Sequence, residues 1–275
     1  MLMELWNRAE AVVIGAGAGL STAAGITYSG QRFEENFDDF IDRYGMRDMY
    51  SAGFYHFSTQ EEKWAYWSRH ISLNRYDVPA TDLYLDLWRL VQEKEYFVLT
   101  TNVDHQFWKA GFPDERIFAT QGDYGMFQCA GACHNKLYHN EALVKAMNAQ
   151  QKDCRIPKYL VPKCPVCGGD MAVNIRCDHF FVEDEHWHEA AVRYQNFLNK
   201  NQRKNVLFLE LGVGLNTPGI IKYPFWQMTN GWKHANYVCV NKGEAWVPDD
   251  IGEKSICLNQ DLSEFLEVLK GEQRL

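Results

Sequence analysis

The chain has 275 residues, of which 46% are apolar and 23% charged, enough for one large folded domain with an insertion or two modest ones. Its net charge of −8 argues against general binding to nucleic acid or to an acidic membrane. No apolar run reaches the ~18 residues of a membrane helix, and the N-terminus lacks the basic-then-apolar pattern of a signal peptide, so a cytoplasmic protein is expected.

Residues 11–14 are a short apolar run ending in Gly15-Ala16-Gly17-Ala18-Gly19, which predicts a buried strand entering a glycine-rich turn. Residues 20–25 read as the start of a helix of small side chains. From about 28 to 80 the chain mixes aromatic and charged residues, and a helical insertion is expected there, with helices near 34–44 and 61–72. Leu83, Leu87, Leu90 and Val91 give 81–95 a helical spacing. Second and third strands follow at 96–99 and 116–119.

Between 127 and about 175 the character changes to paired cysteines, Gly and Pro, with weak strand content. Beyond it come a helix at 184–199, strands at 206–211, 237–240 and 255–258, and a last helix at 261–269. Strands alternating with helices imply an α/β fold, a Rossmann-like parallel sheet with helices on both faces. The domain expectation is 1–124 with 176–275 for that sheet, interrupted by a small zinc-ribbon-like module at 125–175.

A strand, glycines and a helix start leave backbone N–H groups at the positive end of a helix, an arrangement that suits a diphosphate. A tight strand-to-helix connection uses the same residues. Gly15-x-Gly17-x-Gly19 is not the GxGxxG spacing. No acidic residue ends a second strand about twenty residues on, where a dehydrogenase grips the ribose. Hydride transfer is disfavoured.

Gly17-Ala18-Gly19-Leu20-Ser21-x-x-x-Gly25-Ile26 resembles the GAG-I-S-x-x-x-GIP signature of sirtuins. The likeness recurs in order along the chain. Thr100-Thr101-Asn102-Val103-Asp104 resembles T-Q-N-I-D, and Gln121-Gly122 stands where sirtuins carry the His-Gly of their catalytic histidine. Gly212-Val213-Gly214 resembles the G-T-S loop, and Val240-Asn241 the I-N at the adenosine end. The resemblance implies NAD as a substrate, with Asn102, Asp104 and Gln121 catalytic. It further implies NAD contacts from Gly17, Ala18, Gly19, Ser21, Gly25, Arg32, Thr101, Gly212, Gly214, Asn241 and Leu262. In that pattern Asp104 holds the nicotinamide amide and Asn102 the ribose or a bound water. An Asx turn with a helix N-cap is the structural alternative at Asp104.

The departures point to a subfamily. Thr27-Tyr28-Ser29-Gly30 replaces the expected Pro, Asp, Phe and Arg, Thr101 replaces the glutamine, and Gln121 the histidine. The acyl-lysine-binding segment is not recognisable in 172–184. These features resemble the macrodomain-linked class M sirtuins, described as protein ADP-ribosyltransferases. The resemblance implies a protein acceptor, with a lipoyl-carrier protein as the one described, and a macrodomain hydrolase encoded nearby. A glutamine amide donates and accepts hydrogen bonds but does not titrate near neutral pH, so deacylase chemistry should be impaired. A sirtuin lysine deacylase and a non-catalytic NAD or ADP-ribose sensor are the competing readings.

Cys129-x3-Cys133 and Cys164-x2-Cys167 supply four thiolates on two turns, enough for a closed tetrahedral structural zinc site. His134 and Cys154 stand as alternative ligands. His186 and His188, two apart on a helix, do not share a face and read as solvated.

Overall fold

Among the described residues nine strands form: β1 (Ala11–Ala16), β2 (Tyr96–Thr100), β3 (Ile117–Ala119), β4 (Gly122–Cys129), β5 (Tyr138–His139), β6 (Met171–Ile175), β7 (Val206–Leu211), β8 (Asn236–Val240) and β9 (Ser255–Leu258). The computed structural model describes residues 1–215 and 218–273. They divide into two compact units, one built from 1–25, 80–121 and 185 onward, the other from 26–79 and 122–184.

In the first unit six parallel strands are ordered β3-β2-β1-β7-β8-β9. Helices cover both faces, so the strands are apolar almost throughout. Alternation along each strand divides the core into two layers. Val12, Ile14, Leu207 and Leu209 pack with Tyr84, Leu87 and Leu90 of helix Asp82–Val91. Ala11, Val13 and Phe208 pack on the other face with Phe197 and Phe225. From β1 the chain winds toward β2 and β3, and from β7 toward β8 and β9. The C-terminal ends of β1 and β7 therefore flank the switch point, where sheets of this kind bind ligands.

One strand position breaks the apolar rule. Glu210 of β7 is fully buried, and its carboxylate accepts from Lys222 Nζ at 2.5 Å, from the Tyr237 hydroxyl and from Cys239 Sγ at 3.3 Å. Lys222 opens helix Lys222–Gly231 and is equally buried.

The second unit holds a small antiparallel sheet, ordered β5-β4-β6, and the helical insertion. The helix expected at 34–44 is two, Gln31–Asn36 and Asp38–Tyr44, parted at Phe37 (φ −136°, ψ 26°). Burial drives the break, because Phe33, Phe37 and Phe40 all reach the core. Helix Gln60–Ile71 runs on into a π-helical turn, Ser72–Tyr76. It joins the cysteine-bearing segment: Trp64 meets Phe127 edge-on at 4.7 Å, and Arg155 pairs with buried Glu62 at 2.7 Å. Helix Glu141–Gln150, in a segment where weak strand content was expected, anchors Asn148 to Ser68 O and Ser72 Oγ. Among the described residues no helix is long and apolar enough to cross a membrane.

The Glu210 cluster yields a stability prediction. Lys222→Ala strands a buried carboxylate and should cost about 3–5 kcal/mol in urea unfolding. Lys222→Met combined with Glu210→Leu should recover most of that loss. A double variant as unstable as the single would show that packing, rather than the unpaired charge, is responsible.

Candidate functional site

The switch point is built by glycines from two strands. β1 ends at Ala16, and Gly17 precedes the short helix Ala18–Ala23. Gly17 N–H donates to Leu211 O at 3.1 Å, and Gly19 N–H to Gly212 O at 2.9 Å. A Cβ at Gly17 would lie 2.7 Å from Gly212 O, and one at Gly19 would lie 2.7 Å from Gly212 Cα. Gly212 has φ +61°, and a Cβ there would meet Leu20 N at 2.4 Å. The turn was expected to leave its amides open to a ligand. Two of them are instead spent joining the β1 and β7 turns, so these glycines serve backbone-to-backbone contact. Ala18 remains exposed beside them.

A buried polar network continues from this turn. Thr101 N–H donates to Ala16 O at 3.1 Å, which sets the start of the loop after β2. Asn102 Nδ2 lies 3.0 Å from Gly17 O, 3.0 Å from the Tyr84 hydroxyl and 3.2 Å from Ser21 Oγ. Ser21 Oγ is 2.8 Å from the Tyr84 hydroxyl and donates to Asp104 Oδ2. Asp104 Oδ1 accepts from Gln106 N–H at 3.0 Å, at the start of helix Gln106–Lys109. One Asp104 oxygen thus makes the expected Asx turn and the other joins the polar cluster, while the helix N-cap falls on His105 and not on Asp104. Sequence reasoning missed Tyr84. It sits between Leu83 and Leu87 on a core-facing helix and was not among the positions singled out there. A hydroxyl on the face nearest the ends of β1 and β2 was the available signal.

Thr120 N–H and its hydroxyl both donate to Thr100 O, at 3.0 and 3.2 Å, so β3 ends beside β2. Gln121 follows directly and is half-buried, and among the described residues its amide has no hydrogen-bond partner. Asn241 extends β8 and donates from Nδ2 to Val213 O at 3.0 Å, fixing the β7 loop from its other side. Gly214 on that loop is exposed. Gly25 takes φ +86° just past its helix. Leu262 opens the last helix but packs in the core, 5% exposed. The structure therefore gathers Gly17, Gly19, Ser21, Thr101, Asn102, Asp104, Gly212 and Asn241 in one bonded set.

Arg32 belongs to the second unit. Its Nη1 donates to Thr27 O and Asn74 Oδ1, both at 2.8 Å, and its Nη2 to Leu73 O at 2.7 Å. A guanidinium has five N–H donors, so these bonds leave only part of it for a ligand. Its observed work is to hold the 27–31 loop against the π-helical turn.

Cys129, Cys133, Cys164 and Cys167 converge with all four sulfurs within 4.8 Å of one another. Cys129 and Cys167 sulfurs are 3.7 Å apart, as are those of Cys133 and Cys164. A tetrahedron with zinc–sulfur bonds of about 2.3 Å has edges of about 3.8 Å, so the cluster fits a structural zinc ion. The backbone N–H of Cys167 is the chief cause that pulls the Cys164 thiol down to about 6, while burial and the neighbouring thiols push Cys133 up, so the metal fit rests on the sulfur geometry. His134 is no fifth ligand in this set. Its Nδ1 lies 3.0 Å from Cys133 Sγ while Nε2 contacts the Tyr138 hydroxyl at 2.9 Å. Cys154 lies outside the cluster, its thiol pushed up to about 11 by burial and by Asp39.

Comparison with known proteins adds to this geometry. The Sir2 family profile matches residues 17–206. A protein ADP-ribosyltransferase of Staphylococcus aureus is 40% identical over 94% of this chain and 83% of its own length. A probable bifunctional ADP-ribose hydrolase/ADP-ribosyltransferase of Fusarium oxysporum is 30% identical over 80% of this chain, which spans 38% of that longer protein. Among solved structures, Sir2Tm bound to a propionylated peptide matches with TM-score 0.61 and 22% identity, covering 99% of this chain and 97% of that one. A Sir2–p53 peptide–NAD⁺ complex matches with TM-score 0.58 and 20% identity over the same shares. At these identities the structural matches speak for the fold.

The cysteine cluster predicts one zinc per chain. Elemental analysis of the native protein should find it, and a Cys164→Ser/Cys167→Ser variant should lose it. Removal by a chelator should lower the melting temperature, because metal-binding free energy at such a site is folding free energy. Equal zinc in both proteins would refute the assignment.

Proposed function

Because the chain belongs to the Sir2 family, we propose that it is an NAD-dependent protein ADP-ribosyltransferase. The observation that carries this reading is 40% identity, over 94% of the chain, to a protein named for that activity. In the reaction the bond from the ribose C1′ to nicotinamide breaks and nicotinamide leaves with the bonding pair. A bond from an acceptor side chain forms at C1′, and that side chain's proton passes to solvent.

The chain's own groups act by position. Asn102 offers an amide to the ribose that loses nicotinamide, and Asp104 holds the carboxamide of the leaving group. Ser21 keeps Asp104 oriented. Gly17, Ala18, Gly19, Gly212 and Gly214 shape the backbone at the phosphates, with Gly25 and Thr101 around the nicotinamide end and Asn241 and Leu262 toward the adenosine. The four-cysteine zinc is structural, since a closed set of thiolates leaves no position for a reacting group.

Gln121 decides between transfer and deacylation. Breakdown of an acyl-lysine intermediate needs a group that takes a proton, and an amide does not titrate near neutral pH. Attack on C1′ by a protein nucleophile needs the ribose held still, which an amide can do. The acceptor in this reading is a lipoyl-carrier protein met in the cytoplasm. A macrodomain hydrolase encoded nearby would reverse the modification. The pairing of hydrolase and transferase in the name of the Fusarium relative supports that association.

The wild type should transfer labelled ADP-ribose from NAD to a carrier protein while showing little turnover of acetyl- or longer acyl-lysine peptides. Gln121→Ala should lower transfer by up to about 100-fold, the low end of what general acid–base groups supply, because only positioning is lost. Gln121→His should not create an efficient deacylase. Robust deacetylation by the wild type, with no labelled acceptor in a lysate of the source organism, would replace this reading by the deacylase.

A further inference from the structure

We propose that Tyr84 is a positioning residue that fixes which atom of the Asn102 amide is offered to bound NAD. The inference rests on the reading of Asn102 given above and follows from counting protons in the buried network.

Ser21 has one hydroxyl proton, and it goes to Asp104 Oδ2. In the 2.8 Å contact between Ser21 and Tyr84, the tyrosine must therefore donate. Its single proton is then committed, so at the 3.0 Å contact with Asn102 the tyrosine oxygen accepts from Nδ2. The second Nδ2 hydrogen faces Gly17 O at 3.0 Å. The chain has one direction: Asn102 N–H to Tyr84, Tyr84 O–H to Ser21, Ser21 O–H to the Asp104 carboxylate. A carboxylate only accepts, so the direction cannot reverse while Asp104 is ionised.

The consequence falls on Asn102, which is 7% exposed. With both N–H groups turned into the network, Oδ1 must point away from it, and among the described residues nothing donates to Oδ1. The group it suits is a hydrogen-bond donor, and in the proposed reaction the donors near C1′ are ribose hydroxyls. Were the amide turned over, its nitrogen would face those hydroxyls, and its oxygen would face Gly17 O without a hydrogen between them. Tyr84 is fully buried on helix Asp82–Val91, so its hydroxyl is held by packing and is not recruited by the ligand.

The test compares Tyr84→Phe, Asn102→Ala and the double variant. Nicotinamide release from NAD is measured with water and with total lysate protein as acceptors, alongside thermal melting. Tyr84→Phe should lower kcat by about tenfold, the scale of one lost neutral hydrogen bond, with KM for NAD changed less than about twofold. It should add nothing to the loss in Asn102→Ala, because residues acting through one another are not additive. Independent, multiplying losses, or a Tyr84→Phe enzyme with lowered melting temperature and unchanged kcat, would overturn the inference and leave the transferase intact. Full nicotinamide release by Asn102→Ala, or none by the wild type with either acceptor, would instead overturn the reading of the site itself.

Discussion

The approach of two backbone turns, one after β1 and one after β7, is the constraint on which the rest of the site depends. Gly19 and Gly212 come so close that neither accommodates a Cβ, and two hydrogen bonds hold the turns together. Adjacent parallel strands lie about 4.8 Å apart, and their loops normally diverge at a switch point. Here they are drawn together, which fixes the start of helix Ala18–Ala23 over the end of the sheet. Ser21, one turn into that helix, is thereby delivered to Asn102 and Asp104. Glycine at 17, 19 and 212 thus acts at a distance, by setting where a serine four residues past the first of them stands.

The second requirement is that buried polar groups be satisfied, since an unpaired one costs about 1–3 kcal/mol. Asn102 and Asp104 are 7% and 4% exposed and sit at the end of a central strand, where that penalty would apply fully. Thr100 starts the solution. Its hydroxyl donates to Ala16 O and accepts from Asn102 N–H, so the loop after β2 is tied at its first residues. Asp104 then forms an Asx turn by accepting from Gln106 N–H. Between Asp104 and that helix, His105 takes φ +67° and stacks on Trp108 at 4.4 Å. A left-handed residue other than glycine is uncommon, and here it bends the chain sharply enough for Asp104 to serve Gln106 and Ser21 together.

The sheet was legible in the sequence because burial on both faces writes each strand as an apolar run. The strands expected at 206–211 and 255–258 coincide with β7 and β9. What burial by side chains does not write was harder to see. Glu210 and Lys222 carry no sequence signal of pairing, since only the fold brings a strand carboxylate to a helix start. Helix Lys222–Gly231, for which no expectation was made, carries Pro224 in its first turn, a position a helix tolerates. Helix Glu141–Gln150 buries only Val144 and Met147, too few to announce a periodicity. The glycine turn was found, but for an incomplete reason: its spacing suggested ligand-facing amides, whereas the close contact is with another turn. Arg32 shows the same gap. A motif locates a residue in the chain, and only the fold reveals that its guanidinium is already bonded to two carbonyls and an asparagine.

The buried Glu210–Lys222 pair also bears on the site. A buried ion pair is weak evidence for stability, because desolvation offsets much of the attraction, but it demands one geometry. Glu210 lies two residues before Gly212, and Lys222 opens the helix to which the loop after β7 returns. Tying these two residues together under the sheet sets the separation of the loop's ends independently of what the loop itself does. At its near end Gly212 is held to Val240 O and to Gly19, and Val213 O accepts from Asn241. Beyond that point Gly214 and Leu215 are exposed. The near end of the loop is therefore held by buried polar contacts, and its described residues Gly214 and Leu215 stand exposed beyond the closed glycine contact.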